Sequence, residues 1–416
     1  MTVREPAGDW ARSTAWLGGA NIVRNIAMLA LLLVLAQLAS GEIAGRFALA
    51  LAIATPVFAL AQFGLRNIYL TIRPRQTLPG FIAVQTATGL VALAAATAVS
   101  AVFDPELAVT VGLVAIYRLT DNLNELFIAP LQEAGRYALV FWGFFVFAVV
   151  GTGGPAAVFV VSGSLDAALL AMAGISGLTT LFAFGIPAIH SAKQNAAGRR
   201  PTHYAAVLRA GVPSGVALFV LALITTLPQY FLSATDGDRS VGHFAAVLYL
   251  FAAAELFTGA VAQSWLPHAR RLRDEGLKGR DLQRYLVGTS ARWTAAYLPL
   301  TTLGMVTAIT IFPLLFPEFP IRVEFVAPLA LAILLLPTLY FFTFAIALMN
   351  VYQHNLTVGA SGAVASLAAC MLLIPAYGIV GAFWAVAAAI LIRTTAATVI
   401  ILRLLNREGT IGPEGA

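Results

Sequence analysis

The sequence is short of charge. Only 11% of its 416 residues are Asp, Glu, Lys or Arg, where an ordinary soluble domain carries about 25%. Mean hydropathy is +0.86, which excludes a water-soluble fold of this length and makes a lipid bilayer the solvent. Cysteine is scarce too: Cys370 stands alone in an apolar run, which speaks for packing over redox or metal chemistry. The five histidines are scattered without metal-ligand spacing. No Gly-x-x-x-x-Gly-Lys-Ser/Thr loop is present, so nucleotide hydrolysis is not expected. No catalytic residue, metal or cofactor is therefore expected. No connector is long enough to form a soluble domain. The opening "MTVREPAGDWARS" has no apolar core before a small-residue cleavage site, so the first helix is expected to act as an uncleaved insertion signal.

Long apolar runs are what remains. A spanning helix needs roughly 20 such residues, and the pattern predicts twelve, at about 15–39, 45–65, 79–102, 107–131, 137–161, 165–189, 205–232, 241–266, 288–315, 324–349, 355–375 and 379–403. The fold class expected is thus an all-α polytopic membrane protein with about twelve transmembrane helices in two six-helix lobes around a central cavity.

Charge sets the orientation, because cytoplasmic loops collect Lys and Arg. With both termini inside, 19 of the 25 basic residues face the cytoplasm. These include Arg4, Arg66, Arg73, Arg75, Arg199, Arg200, Lys278 and the arginines from 270 to 284. Only Arg46, Arg239 and Arg322 fall outside, beside acidic residues such as Glu42, Asp104, Asp166, Asp238 and Glu318. Shifting the count by one helix destroys the asymmetry. The pI near 9.7 is therefore a property of the cytoplasmic face, suited to anionic lipids, and is not read as nucleic-acid binding.

The two halves resemble each other. "GRFALALAIATPVFALAQFGL" (45–65) lies over "GHFAAVLYLFAAAELFTGAVA" (242–262), each opening Gly-x-Phe-Ala after a short acidic outer loop. The expected division is an N-terminal lobe (1–195), a polar cytoplasmic linker (196–204) and a C-terminal lobe (205–416). Same-orientation repeats of this kind place substrate near the midplane and move by rocking.

Three arginines remain inside spans, each at about 2.5–3.5 kcal/mol on insertion scales. Arg24 shares a helix face with Asn21 and Asn25, one turn apart. Guanidinium fork and amides together suit phosphate or sugar hydroxyls; the competing reading is an ion pair with a carboxylate on a neighbouring helix. In "YRLTDNLNELF", Arg118 can pair with Asp121 one turn on, which leaves Glu125 to find another partner. That stretch lines a wet cleft if it lies deep and is a solvated network if it lies near the surface. Glu255 is the lone carboxylate of its helix. It is a candidate for ion or proton coupling, or else a salt-bridge partner for Arg24 or Arg118. Arg393 either faces a cavity or snorkels to the cytoplasmic side. Arg66 reads as a topology determinant.

Three stretches carry a resemblance. "LASGEIAGRFALALAIATPVFALAQFGLRNIYL" (38–70), "PQYFLSATDGDRSVGHFAAVLYL" (228–250) and "PAYGIVGAFWAVAAAILIRTTAATVIILR" (375–403) resemble the polysaccharide-export flippases. These belong to the multidrug, oligosaccharidyl-lipid and polysaccharide exporter superfamily. The likeness implies a bacterial plasma-membrane flippase, not an enzyme, that moves undecaprenyl-diphosphate-linked oligosaccharide by alternating access for cell-surface polysaccharide biosynthesis. It also implies polysaccharide-assembly partners, and cationic cavity residues for the diphosphate, which Asn21, Arg24, Asn25, Arg118 and Arg393 match; Asp121, Glu125 and Glu255 are the coupling candidates. Two alternatives stay open: a cation-coupled drug exporter of the same superfamily, and a membrane-embedded polymerase or acyltransferase.

The orientation is directly testable. Reporter fusions after Asp104, Asp238 and Glu318 are each expected to report the outer side. A cytoplasmic signal from any one of them overturns the helix count.

Overall fold

A computed structural model describes residues 7–410 except 73, 278, 316, 350 and 352. Arg4, Arg73 and Lys278, counted above on the cytoplasmic side, lie outside the described residues. The chain divides into two compact units, Met1–Ala222 and Leu223–Ala416.

The first unit contains α1 (Ala7–Leu38), α2 (Gly41–Gln62), the short α3 (Leu65–Thr71), α4 (Leu78–Phe103), α5 (Pro105–Glu133) and α6 (Tyr137–Ser162). It continues through α7 (Leu165–Thr179), a π-helical turn at Thr180–Gly185, α8 (Ile186–Gln194) and the start of α9 (Tyr204–Asp236). The connections before α2, α5 and α7 are helix caps more than loops. Ser40 Oγ accepts from Ile43 N at 3.3 Å, and Ser164 Oγ accepts from Ala167 N at 3.3 Å. Asp104 Oδ1 accepts from Glu106 N at 3.0 Å and Leu107 N at 3.2 Å. Each satisfies amides that a helix start leaves unpaired.

α5 is the hub of this unit and packs against α2, α3, α4, α6, α7 and α8. Two apolar clusters bracket its C-terminal half. Leu126 and Ala129 join Tyr69, Phe81 and Val207, while Phe127, Ile128 and Leu131 join Val140, Phe144 and Phe184. The face left over carries the charges.

The segment between α8 and α9 is fastened to the first unit. Thr77 N donates to Arg200 O at 3.0 Å, Arg200 N to Arg75 O at 2.8 Å, and Thr202 Oγ1 to Thr77 O at 2.9 Å. Arg199 pairs with Glu133, donates to Gln76 O at 2.9 Å and lies 4.6 Å from the Tyr69 ring centroid. The polar groups of this linker are thus consumed in bonds to residues 75–77 and to α5.

The second unit holds the rest of α9, then α10 (Asp238–Asp274), α11 (Gly279–Leu315), α12 (Val326–Leu348) and α13 (Gln353–Thr410). α12 is central and packs on α10, α11 and α13. Phe244 of the repeated Gly-x-Phe-Ala stretch is fully buried, as Phe47 is in the first unit; Phe244 meets Phe383 at 4.9 Å.

Ten stretches of the described residues are long and apolar enough to cross a membrane. One of them, Gln353–Asn406, has 54 residues and would run about 80 Å if straight, against a hydrocarbon core of about 30 Å. It breaks at Gly378, whose φ of 52° and ψ of −129° are not helical, and so supplies two crossings. α5, 29 residues long, is absent from the ten because its polar residues lower its hydropathy; its length spans a bilayer. The chain is an all-α polytopic membrane protein, with twelve helical stretches among the described residues long enough to cross a bilayer.

Gly378 falls within the "PAYGIVG" stretch, and only glycine adopts its left-handed φ without strain. A Cβ there would also lie 2.6 Å from Asp236 Oδ2. Gly378→Ala is expected to cost about 1–3 kcal/mol, read as a lower Tm of the detergent-purified protein. An unchanged Tm would show that the break tolerates a side chain.

Candidate functional site

The i, i+3, i+7 spacing of Arg118, Asp121 and Glu125 places all three on one stripe of α5. Hydrocarbon cannot solvate them, so each needs a partner from another helix. The partners come from three directions.

Arg24, on α1, hydrogen-bonds to Glu125 Oε1 and approaches Asp121 Oδ1 at 3.8 Å. Its guanidinium also lies 5.6 Å from the centroid of the Phe144 ring on α6. Arg66, on α3, reaches the other oxygen of the same carboxylate: its Nη1 donates to Glu125 Oε2 at 3.3 Å and its Nη2 to Gln132 Oε1 at 3.1 Å. Arg118 Nη1 lies 3.7 Å from Asp121 Oδ2, and its Nη2 donates to Thr55 Oγ1 on α2 at 2.6 Å. The polar stripe runs from Arg118 to Gln132, about 21 Å along α5.

The α2 helix supplies acceptors as well. Asn122 Nδ2 donates to Phe58 O at 2.9 Å, and Gln85 Nε2 and Thr88 Oγ1 donate to Ala61 O at 3.3 and 2.9 Å. These carbonyls lie between Pro56 and the left-handed Phe63–Gly64 step that ends the helix. Side-chain donors thus supplement its backbone pairing where the helix closes.

The sequence-level candidates divide into three groups. Arg24, Arg118, Asp121 and Glu125 form one network, and the local Arg118–Asp121 pair forms at the spacing that suggested it. Asn25 Nδ2 donates at 2.8 Å to the Asn21 carbonyl on its own helix, so that amide nitrogen is engaged locally. Glu255 and Arg393 belong to a cluster in the second unit. There Tyr340 Oη donates to a Glu255 oxygen at 3.1 Å, and Arg393 lies within electrostatic reach of both. Arg24 and Arg118 find their carboxylates on α5, and the donor to Glu255 is a phenol.

The sequence marks Arg66 only as a topology determinant and does not single out Tyr340. Arg66 sits at the end of an apolar run, where a topology-setting arginine looks the same as a site residue. Tyr340 lies in "LLLPTLYFFTFAIAL", where nothing marks one aromatic from the next.

The charges of the first network do not cancel. Three guanidiniums face two carboxylates, an excess of one positive charge with the acids ionised. Arg118 Nε is buried and has no hydrogen-bond partner among the described residues. Arg24, Arg66 and Arg118 each keep 23% side-chain exposure, and Glu125 keeps 14%. The site is thus partly exposed and carries a surplus of positive charge. Among the described residues no group of three or more His, Cys, Asp or Glu could hold a metal ion.

No protein-family model and no curated protein matches the sequence. Solved structures do share the fold, all at low identity. The chain is similar to the lipid II flippase MurJ in an inward closed conformation, with TM-score 0.64, 11% identity, and 93% of this chain and 89% of that one covered. It is equally similar to an outward-facing multidrug resistance MATE transporter of the MOP superfamily, with TM-score 0.62, 11% identity, and 97% and 96% covered. A third match is a MOP-superfamily transporter from Pyrococcus furiosus described as having a binding pocket of reversed polarity. Its TM-score is 0.56, with 11% identity and coverage of 96% and 95%. The chain has the fold of the MOP-superfamily transporters.

The network is expected to behave as a unit. In a double-mutant cycle, Arg24→Ala and Glu125→Ala should couple by about 0.5–3 kcal/mol in thermal or denaturant unfolding. Additive effects would show that the pair contributes no stability in the membrane environment.

Proposed function

We propose that this protein is a flippase of the bacterial plasma membrane. On this reading it translocates an undecaprenyl-diphosphate-linked oligosaccharide by alternating access, with its N- and C-termini in the cytoplasm. The observation that carries this reading is the surplus of guanidinium over carboxylate on α5 and its neighbours. Arg24 is the residue assigned to the diphosphate. Arginine presents a planar fork that pairs with phosphate oxygens two at a time, and such pairs strengthen where water is scarce. Arg118, with an unpartnered Nε, is a further donor nearby.

The shared fold supports a transporter, and one of the structures that carry it is a lipid II flippase. Others are multidrug transporters, which supports a cation-coupled exporter as the second reading. The charge count weighs against it. A cationic drug needs free carboxylates, and Asp121 and Glu125 already face three arginines. Glu255, held by Tyr340, is the carboxylate left for coupling to an ion or proton.

The test uses reconstituted vesicles carrying a fluorescent polyprenyl-diphosphate-linked oligosaccharide. Arg24→Lys keeps the charge but loses the fork, and is expected to slow translocation by about tenfold or more; Arg24→Gln should abolish it. Melting temperatures of both variants distinguish lost transport from lost folding. Normal translocation by a folded Arg24→Gln protein would sink the diphosphate assignment.

A further inference from the structure

Arg24 cannot hold a diphosphate while it is bonded to Glu125. The way Glu125 is held suggests how this conflict is resolved. Its two carboxylate oxygens are divided between two guanidiniums from different helices, Oε1 with Arg24 of α1 and Oε2 with Arg66 of α3. Asp121 also divides its oxygens between two guanidiniums, but at longer range: Oδ1 is 3.8 Å from Arg24 and Oδ2 3.7 Å from Arg118. An anion whose two oxygens bridge two guanidiniums occupies the place in which a phosphate group would be seated.

We propose that the Glu125 carboxylate is a built-in place-holder: it occupies the phosphate seat between Arg24 and Arg66 and is displaced when the substrate's diphosphate arrives. This rests on the flippase reading above and adds two things to it. Arg66 becomes the second arm of the phosphate seat, and Glu125 becomes the group that sets how tightly the seat binds.

The physical reasons are three. An empty pair of guanidiniums in a low-dielectric interior is costly, and a resident carboxylate removes that cost between cycles. A carrier must also release its cargo, so binding has to be favourable enough to load and weak enough to unload. A competing carboxylate provides that balance. If Glu125 fills the seat about 90% of the time, apparent affinity falls about tenfold relative to a free seat. Finally, the surplus positive charge remains when the place-holder is in position, so the site continues to attract an incoming anion.

Glu125 is well placed to move. It projects from the seventh position after Arg118 on the partly buried polar stripe of α5, and it is held by side-chain partners rather than by backbone. Arg66 already has a neutral acceptor in Gln132 Oε1 at 3.1 Å, so it keeps its orientation when the carboxylate leaves.

The experiment measures binding of inorganic diphosphate to the full-length, detergent-purified protein by isothermal titration calorimetry. Glu125→Gln removes the competing charge and is expected to bind diphosphate about tenfold more tightly than the native protein, while Arg66→Gln binds it more weakly. Glu125→Asp retains the charge but is one methylene too short to bridge both forks. It should tighten binding about threefold, and it carries the test if the Gln variant does not fold. In vesicles, Glu125→Gln should also translocate the lipid-linked substrate more slowly, because release becomes limiting. Native binding with equal or weaker binding by both Glu125 variants would overturn the place-holder and leave the diphosphate reading standing. No binding of diphosphate by folded native protein or by either variant would overturn both.

Discussion

An ionised side chain inside a bilayer must be answered by another charge or by trapped water, and the first unit is organised around that requirement. α5 brings one arginine and two carboxylates into the membrane interior. Every helix that approaches their stripe brings something to match them: Arg24 from α1, Thr55 from α2, Arg66 from α3 and the Phe144 face from α6. The apolar packing is arranged to the sides, with one cluster against Leu126 and Ala129 and the other against Phe127, Ile128 and Leu131. A helix that was merely structural would have no reason to carry this cost.

The same economy governs the C-terminal end of α5. Glu133 takes Arg199 and lies 3.7 Å from Arg75, so the polar stripe is succeeded by a second ion cluster where the helix ends. Arg199 keeps only 2% side-chain exposure, an unusual depth for an arginine in a connecting segment. Its stem and head are absorbed by Tyr69, Gln76 and Glu133. The connecting segment is therefore a packed piece of the first unit, and the division between compact units comes later, within α9.

Most of the fold was legible because hydrophobic length is a local property. Each of the twelve apolar runs became a crossing, including the polar fourth one. The pair of runs at 355–375 and 379–403 was separable only because Pro375 and Gly378 punctuate them. Spacing on one helix was legible for the same reason, and Arg118 with Asp121 is the example. What could not be read was any pairing between helices distant in sequence. Glu125 finds Arg24 across 101 residues and Arg66 across 59. Nothing in the one-dimensional pattern distinguishes Arg66 from a loop arginine that merely fixes orientation. The π-helical turn at Thr180–Gly185 was equally invisible, since its sequence is an ordinary apolar run. It exists where Phe184 packs on Phe144 and Gly185 meets Phe127, a demand made by α5 and α6 and not by the segment itself.

The charge count connects structure to cargo more firmly than any single residue does. A site whose carboxylates outnumber its arginines would draw cations and leave little for an anionic headgroup. Here the balance is reversed, three guanidiniums against two acids. It is also distributed: each acid touches two arginines, so loss of one pairing leaves neither acid bare. A diphosphate replacing a carboxylate keeps each guanidinium paired throughout, whereas a cation entering would have to pull a carboxylate away from two arginines at once. On the flippase reading proposed above, the asymmetry in those two costs is what favours an anionic lipid headgroup over a cationic drug at this site.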